Sequence, residues 1–266
     1  MATSFKSLKL THIETSLEDG IGWIRLNRPP VNAIDLALLE AFVQAIQAAR
    51  NDPEVKVVMV ASRSPGFFSA GLDIKEVELI ADEGHADLLD QLFKDNVLHA
   101  IRTARKIFIA LIGGHCMGGG LEFALAADFR FGVQGKWQLG LPEVKLGGMP
   151  GGGGIQTMRR LIGSSRTLRL AILGETLDPE RAHQLGILDG LSADESEAVA
   201  FARKLAEGPG HSIGAIKLAV YAGEEIPLAD ALVLDRQLYR AILMGDDIKE
   251  GVAAFREKRR AVFKGR

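Results

Sequence analysis

Two short runs, residues 57–61 (VVMVA) and 107–112 (IFIALI), are apolar at every position and rich in β-branched side chains. A strand with water on one face alternates apolar and polar residues. A run with no polar position belongs to a strand covered on both faces. Helices must then lie on either side of the sheet, which calls for an α/β protein. The chain supplies them. Asp35 can cap a helix in which Leu36, Leu39, Phe42, Val43 and Ile46 form one stripe. A second helix is predicted near residues 86–105, with Leu88, Leu89, Leu92, Phe93, Val97 and Ile101 on its inner face. Residues 21–26 read as a strand whose partner lies at 12–16, joined by the turn Glu18-Asp19-Gly20. Shorter strands are expected at 128–133 and 138–141. Beyond about residue 165, helical patterns prevail at 166–173, 195–207, 213–222 and 227–244, so roughly the last 70 residues read as a helical appendage. We therefore divide the chain into a core at 1–195 and a helical region at 196–266.

Bulk properties exclude several classes of function. Lys plus Arg number 32 and Asp plus Glu 34, giving a net charge of −2. That balance offers no reason to expect nucleic acid or a membrane surface as partner. A lone cysteine, Cys116, rules out an intrachain disulfide and a multi-cysteine zinc site, and fits a reducing, cytoplasmic setting. The opening MATSFKSLKLTHIE holds no apolar segment of a secretory signal, and the 107–112 run is too short to cross a bilayer. The histidines show no HxxxH or HExxH spacing, so no metal is expected. His115 and Cys116 are adjacent, which points their side chains apart and argues against a Cys–His nucleophile.

Chemistry concentrates in HCMGGGLEFALAADFRFG, residues 115–132. From Leu121 to Ala127 the predicted helix is apolar all round except at Glu122, so it belongs in the interior. A carboxylate there must find a partner or bind a proton. Two readings stand: a general acid or base with a raised pKa, or a structural ion pair with a residue such as Arg130. Gly118, Gly119 and Gly120 lead into the helix, where free N–H groups and the helix dipole favour negative charge. The glycines serve either a substrate oxygen or simply a tight turn.

A second glutamate, Glu143, sits in LGLPEVKLGG ahead of a run of glycines and a helix at 155–162. Lys145 is its candidate structural partner. Neither the GxxxxGK[ST] nor the dinucleotide pattern is present, so nucleotide binding is not expected. A third stretch, FSAGLDIKE at 68–76, follows the first apolar strand, where α/β proteins commonly place a site. Two N–H donors from separate loops would form an oxyanion hole, and two carboxyls beside it would move protons.

Together these stretches resemble the crotonase family, the enoyl-CoA hydratase/isomerase superfamily. FSAGLDIKE is similar to its first oxyanion segment, HCMGGGLEFALAADFR to its second, and LPEVKLGGMPGGGGIQTMRRLIG to its third characteristic stretch. IRLNRPPVNAID and FREKRRAVFKGR are similar to the family's two ends. The resemblance implies a spiral of ββα turns followed by an α-helical trimerisation region, a homotrimer or a hexamer of paired trimers, and an acyl-CoA thioester as substrate. Coenzyme A then enters as part of the substrate, and no separate cofactor is needed. By position, the N–H groups of Leu72 and Gly119 hold the thioester oxygen, and Glu122 and Glu143 manage water and proton. Having both carboxyls favours hydration of a 2-enoyl-CoA over Δ3,Δ2-enoyl-CoA isomerisation, while the pair also serves other acyl-CoA lyases and hydrolases of this fold. The resemblance also implies that the Ala70 carbonyl faces the adenine, that Asp73, Ile74 and Lys75 line the neighbouring wall, and that Arg28 meets the CoA phosphates. Phe255 and Lys258 match positions that reach CoA from the C-terminal helix, often of a neighbouring subunit. A basic cluster there (Arg256, Lys258, Arg259, Arg260, Lys264 and Arg266 against Glu257) suits phosphate. Leu72 stands where alanine is frequent in the family, and its larger side chain is expected to narrow or reshape the acyl pocket.

Overall fold

The computed structural model describes residues 4–79, 87–88 and 97–265. Its large sheet has six strands in the order β1 (Ile13–Glu18), β2 (Ile21–Leu26), β4 (Val57–Ser62), β7 (Ile107–Ile112), β9 (Phe129–Val133) and β12 (Gly190–Ser192). Only the β1–β2 hairpin is antiparallel; β2, β4, β7, β9 and β12 run parallel. A smaller sheet has the order β11 (Thr176–Leu177), β10 (Leu139–Gly140), β8 (His115–Met117) and β5 (Phe67–Ser69). Successive turns of the chain thus give one strand to each sheet: β4 then β5, β7 then β8, β9 then β10. The short strands β3 (Ala33–Ile34) and β6 (Gly71–Leu72) pair in parallel between them.

The two apolar runs are explained by the two faces of the large sheet. In β4, Val58 and Val60 face one core while Val57, Met59 and Ala61 face the other. In β7, Phe108, Ala110 and Ile112 face the first and Ile107, Ile109 and Leu111 the second. Side chains alternate across a strand, so both sets must be apolar when both faces are covered. Helix α1 (Leu36–Asn51) covers the first face and is capped as expected, the Leu38 N–H donating to Asp35 Oδ1 at 2.8 Å.

Three helices follow between the strands that shape the site: α2 (Ile74–Leu79), α3 (His99–Arg102) and α4 (Gly119–Ala126). After them come α5 (Gly154–Ile162), α6 (Ser164–Leu173) and α7 (Pro179–Gln184), then α8 (Ser196–Ala206), α9 (Gly210–Gly223), α10 (Leu228–Leu243) and α11 (Asp246–Glu257). For the helix expected at 86–105, Val97 and Ile101 are buried as the stripe requires, but Leu88 is exposed. Leu89, Leu92 and Phe93 lie outside the described residues. Helix α8 is not part of an appendage in packing terms: Ala198 and Ala202 are buried in the second core, and Phe201 meets Phe129 and Phe131 edge-on and tilted.

Helix α9 is fastened to the sheet by an ion pair. Lys217 Nζ lies 2.7 Å from Asp128 Oδ2 and donates to the Lys106 carbonyl at 2.8 Å, with both side chains almost wholly buried. Removing one member of such a pair strands the other charge away from water. Lys217→Met is expected to destabilise the protein by about 3–5 kcal/mol, read as a lower urea midpoint; a midpoint equal to that of the parent protein refutes this role.

Candidate active site

Three loops that leave the small sheet arrive at one place. The order β10-β8-β5 sets their ends side by side, and the Gly118 N–H donates to the Gly140 carbonyl at 2.9 Å. Gly71, at φ +96°, comes so close to the start of α4 that a Cβ on it would lie 2.9 Å from the Met117 carbonyl oxygen and 3.5 Å from the Gly119 nitrogen. Gly119 opens α4, so its N–H has no partner within the helix. The backbone of Gly71-Leu72 and the start of α4 therefore face each other with no side chain between them.

Asn32 holds the first of these segments in place. It is fully buried at φ +49°. Its Nδ2 donates to the Phe68 carbonyl at 2.9 Å and to Ser62 Oγ at 2.8 Å. Its Oδ1 accepts from the Arg28 N–H at 2.7 Å and from Ser64 Oγ at 2.9 Å. Ser69 Oγ donates to the Asn32 carbonyl at 2.7 Å and accepts from the Gly71 N–H at 3.1 Å. Sequence reasoning gave Asn32 no role. The signal was a polar residue in the apolar stretch PPVNAI, whose amide can satisfy four partners at once.

Glu122 lies in the first turn of α4, its N–H donating to the Gly118 carbonyl at 3.0 Å. Its side chain is buried, and Oε1 accepts from the Gly154 N–H at the start of α5 at 2.9 Å. Burial pushes its carboxyl up to about 7; the Glu143 carboxyl adds to the rise, while the Gly154 and Gly152 amides oppose it. Glu143 opens a 3-10 turn (Glu143–Leu146) after Pro142. Its Oε1 lies 3.1 Å from where a Cβ on Gly118 would stand. Its Oε2 is buried with no hydrogen-bond partner among the described residues, and burial raises this carboxyl too. Neither structural partner considered for the two carboxyls is paired with them. Arg130 pairs with Asp189 at 2.9 Å and donates to the carbonyls of Ile187 and Ala127. Lys145 packs beside Gly174. Glu122, raised to about 7, can exchange a proton with a bound molecule near neutral pH, and Glu143, also raised by burial, sits at the start of the helix that carries Glu122.

The family described as Enoyl-CoA hydratase/isomerase matches residues 16–266. The chain belongs to the enoyl-CoA hydratase/isomerase family. A probable enoyl-CoA hydratase of Mycobacterium leprae is 34% identical over 259 residues, spanning 94% of this chain and 98% of that one. An enoyl-CoA isomerase/hydratase of Mycosarcoma maydis is 32% identical, spanning 93% of each. The crystal structure of an enoyl-CoA hydratase from Geobacillus kaustophilus HTA426 superposes with a TM-score of 0.93 at 37% identity, covering 97% of this chain and 98% of that one. The ββα spiral with its C-terminal helices is thus the crotonase-like fold.

The remaining residues named from the sequence take varied places in this member of the hydratase/isomerase family. Ala70 is exposed, its N–H donating to the Val31 carbonyl at 2.9 Å. Ile74 and Lys75 are exposed at the start of α2. Asp73 caps that helix, its Oδ1 accepting from the Lys75 N–H at 3.1 Å. Arg28, the residue expected to meet the CoA phosphates, is held in ion pairs. Its guanidinium lies 3.0 Å from Asp35 Oδ2 and 2.8 Å from Asp73 Oδ2, and donates to the Ala33 carbonyl. It ties β6 to the start of α1, and a phosphate would have to compete with two carboxylates. Phe255 and Lys258 are exposed on and after α11, and within a single chain no described contact joins them to the carboxyl pair. Besides Asn32, the Gly152 and Gly154 amides on Glu122 escaped the sequence. Among the described residues no three metal-ligating side chains gather, and no helix is long and apolar enough to cross a membrane.

Proposed function

We propose that this chain is a 2-enoyl-CoA hydratase that adds water across the C2–C3 double bond to give a 3-hydroxyacyl-CoA. The observation that carries the reading is the placement of two glutamates around α4, Glu143 against Gly118 at its start and Glu122 in its first turn with its carboxyl on the Gly154 N–H, each carboxyl raised by burial. The N–H groups of Leu72 and Gly119 donate to the thioester oxygen, where charge grows as the enolate forms. Ionised Glu122 takes one proton of water as the hydroxyl joins C3. Protonated Glu143 gives its proton to C2. The pair is left with its proton exchanged, and transfer through the product hydroxyl or solvent restores it. Isomerisation of a Δ3-enoyl-CoA needs one carboxyl to carry a proton between two carbons and leaves the second without a task.

Crotonyl-CoA absorbance in the enoyl-thioester band is expected to fall when the protein is added, with 3-hydroxybutyryl-CoA recovered. No loss with straight-chain, branched or aromatic 2-enoyl-CoA overturns hydration; conjugation of a 3-enoyl-CoA without uptake of water would put isomerase in its place. Gly71→Ala tests the oxyanion donors separately. The new methyl group meets the Met117 carbonyl, and kcat is expected to fall about 10²–10³-fold, the usual cost of one lost donor. Retention of more than a tenth of the parent rate counts against these amides. Ala70, Asp73, Ile74 and Lys75 would line the CoA channel, with Phe255 and Lys258 completing it from a neighbouring subunit. A homotrimer or hexamer in the cytoplasm fits the exposed apolar side chains of Ile216, Val220, Leu228 and Tyr239 on α9 and α10.

A further inference from the structure

The start of α5 has two sides, and the mechanism uses one of them. Gly154 faces Glu122: a Cβ there would lie 2.8 Å from Glu122 Cγ. Its neighbour Gly153 faces Leu98: a Cβ there would lie 2.7 Å from Leu98 Cδ2. Leu98 and Glu122 therefore flank the same two glycines. Behind Leu98 is a cavity of about 390 Å³ between α3 and α9. Leu98, Leu218, Tyr221 and Ala222 form its apolar side. Arg102 closes it toward α5, lying 5.1 Å over the Tyr221 ring and donating to Thr157 Oγ1 at 3.3 Å. The reaction as described has no use for this space.

We propose that Leu98 is the partition that sets how long an acyl chain this protein accepts, and that the cavity behind it takes the tail of a longer chain once Leu98 gives way. The proposal rests on the reading of the substrate as an acyl-CoA thioester. It assigns Leu98 a specificity role, with no part in proton transfer. A short chain ends before Leu98 and is indifferent to it. A longer one must displace the isobutyl group to lie along Leu218, Tyr221 and Ala222. Each methylene moved from water into an apolar pocket tightens binding by about fourfold, so a tail of several methylenes gives a large signal.

The test is calorimetric binding of butyryl-CoA and decanoyl-CoA, saturated thioesters that do not turn over, to the parent protein, Leu98→Ala and Leu98→Val. Leu98→Ala is expected to shift the ratio of the two Kd values at least tenfold in favour of decanoyl-CoA, with Leu98→Val between it and the parent. Butyryl-CoA affinity and crotonyl-CoA turnover should stay within about threefold. Ala222→Phe, made from the opposite wall in the Leu98→Ala background, should reverse the gain. A ratio unchanged within twofold in both Leu98 variants overturns the proposal, as does a gain that Ala222→Phe leaves intact. Should Leu98→Ala fail to fold, Leu98→Val and a single Ala222→Phe, expected to weaken decanoyl-CoA alone, decide it. Failure of the hydratase reading has a different signature: acyl-CoA binds and the ratio shifts, yet no 2-enoyl-CoA is hydrated. If no acyl-CoA binds at all, both readings fall.

Discussion

Glu143→Gln is expected to slow crotonyl-CoA hydration by about 10²–10⁴-fold, the range for loss of a positioned proton donor. The substitution keeps size and shape, so the amide carbonyl can occupy the Oε1 position beside Gly118. What it removes is the proton. Burial holds Glu143 toward its neutral form, which is the form that can protonate C2. The thioester oxygen keeps its two amides, so KM should move by no more than a few-fold and the loss should fall on kcat. Neither side chain is charged when the glutamate is protonated, so the melting temperature should stay close to the parent's. Progress curves across a range of crotonyl-CoA concentrations check this. A kcat within tenfold of the parent value removes Glu143 from the proton path.

Glu122→Gln is expected to cost as much activity and to make the protein more stable, by an amount that grows from about pH 4.5 to about pH 7 and is constant above. The Glu122 carboxyl titrates near 7 in the folded protein, against an ordinary value of 4.5. Between those two values the folded protein keeps a proton that the unfolded chain has released. The contribution of this group to stability is therefore full below pH 4.5 and is lost as pH rises through about 7. Above that, the ionised carboxylate costs the fold about 3 kcal/mol, at 1.36 kcal/mol per pH unit. Glutamine carries no charge at any pH, and its carbonyl can still accept from the Gly154 N–H. Urea unfolding of parent and variant should coincide near pH 4.5 and separate by about 3 kcal/mol at pH 8. Equal stability at pH 8 would mean that the carboxyl is ionised without strain and is not poised as a base. Activity of the parent should rise through about pH 7 as Glu122 ionises.

The fold was visible in the sequence where both faces of a strand are buried. Residues 57–61 and 107–112 announce covered strands because alternation has nothing polar to show. The cap at Asp35 and the turn at Gly20 follow from local chemistry. The division into two sheets was not visible, because β5, β8 and β10 are two or three residues long and carry no period. Nor was the attachment of α8, since Ala198 and Ala202 look like any helical alanines until the second core is assembled around them. At the site, Glu122 stood out as a charge in an apolar helix. The ion pairs of Arg28 were not visible, because Asp73 lies 45 residues away along the chain and Asp35 was read only as a helix cap. Leu98 gave no signal: a leucine in an amphipathic stretch is core until the glycine it touches is known.

Gly71, Gly118, Gly120 and Gly154 each sit where a methyl group would meet another part of the site at 3.1 Å or less. Such positions offer descent with modification little to work on, since every single-base route away from glycine adds atoms that crowd the site. Any new specificity arising from this chain has to be written in the walls around that hub, at side chains such as Leu72 and Leu98, while the reacting centre is inherited unchanged.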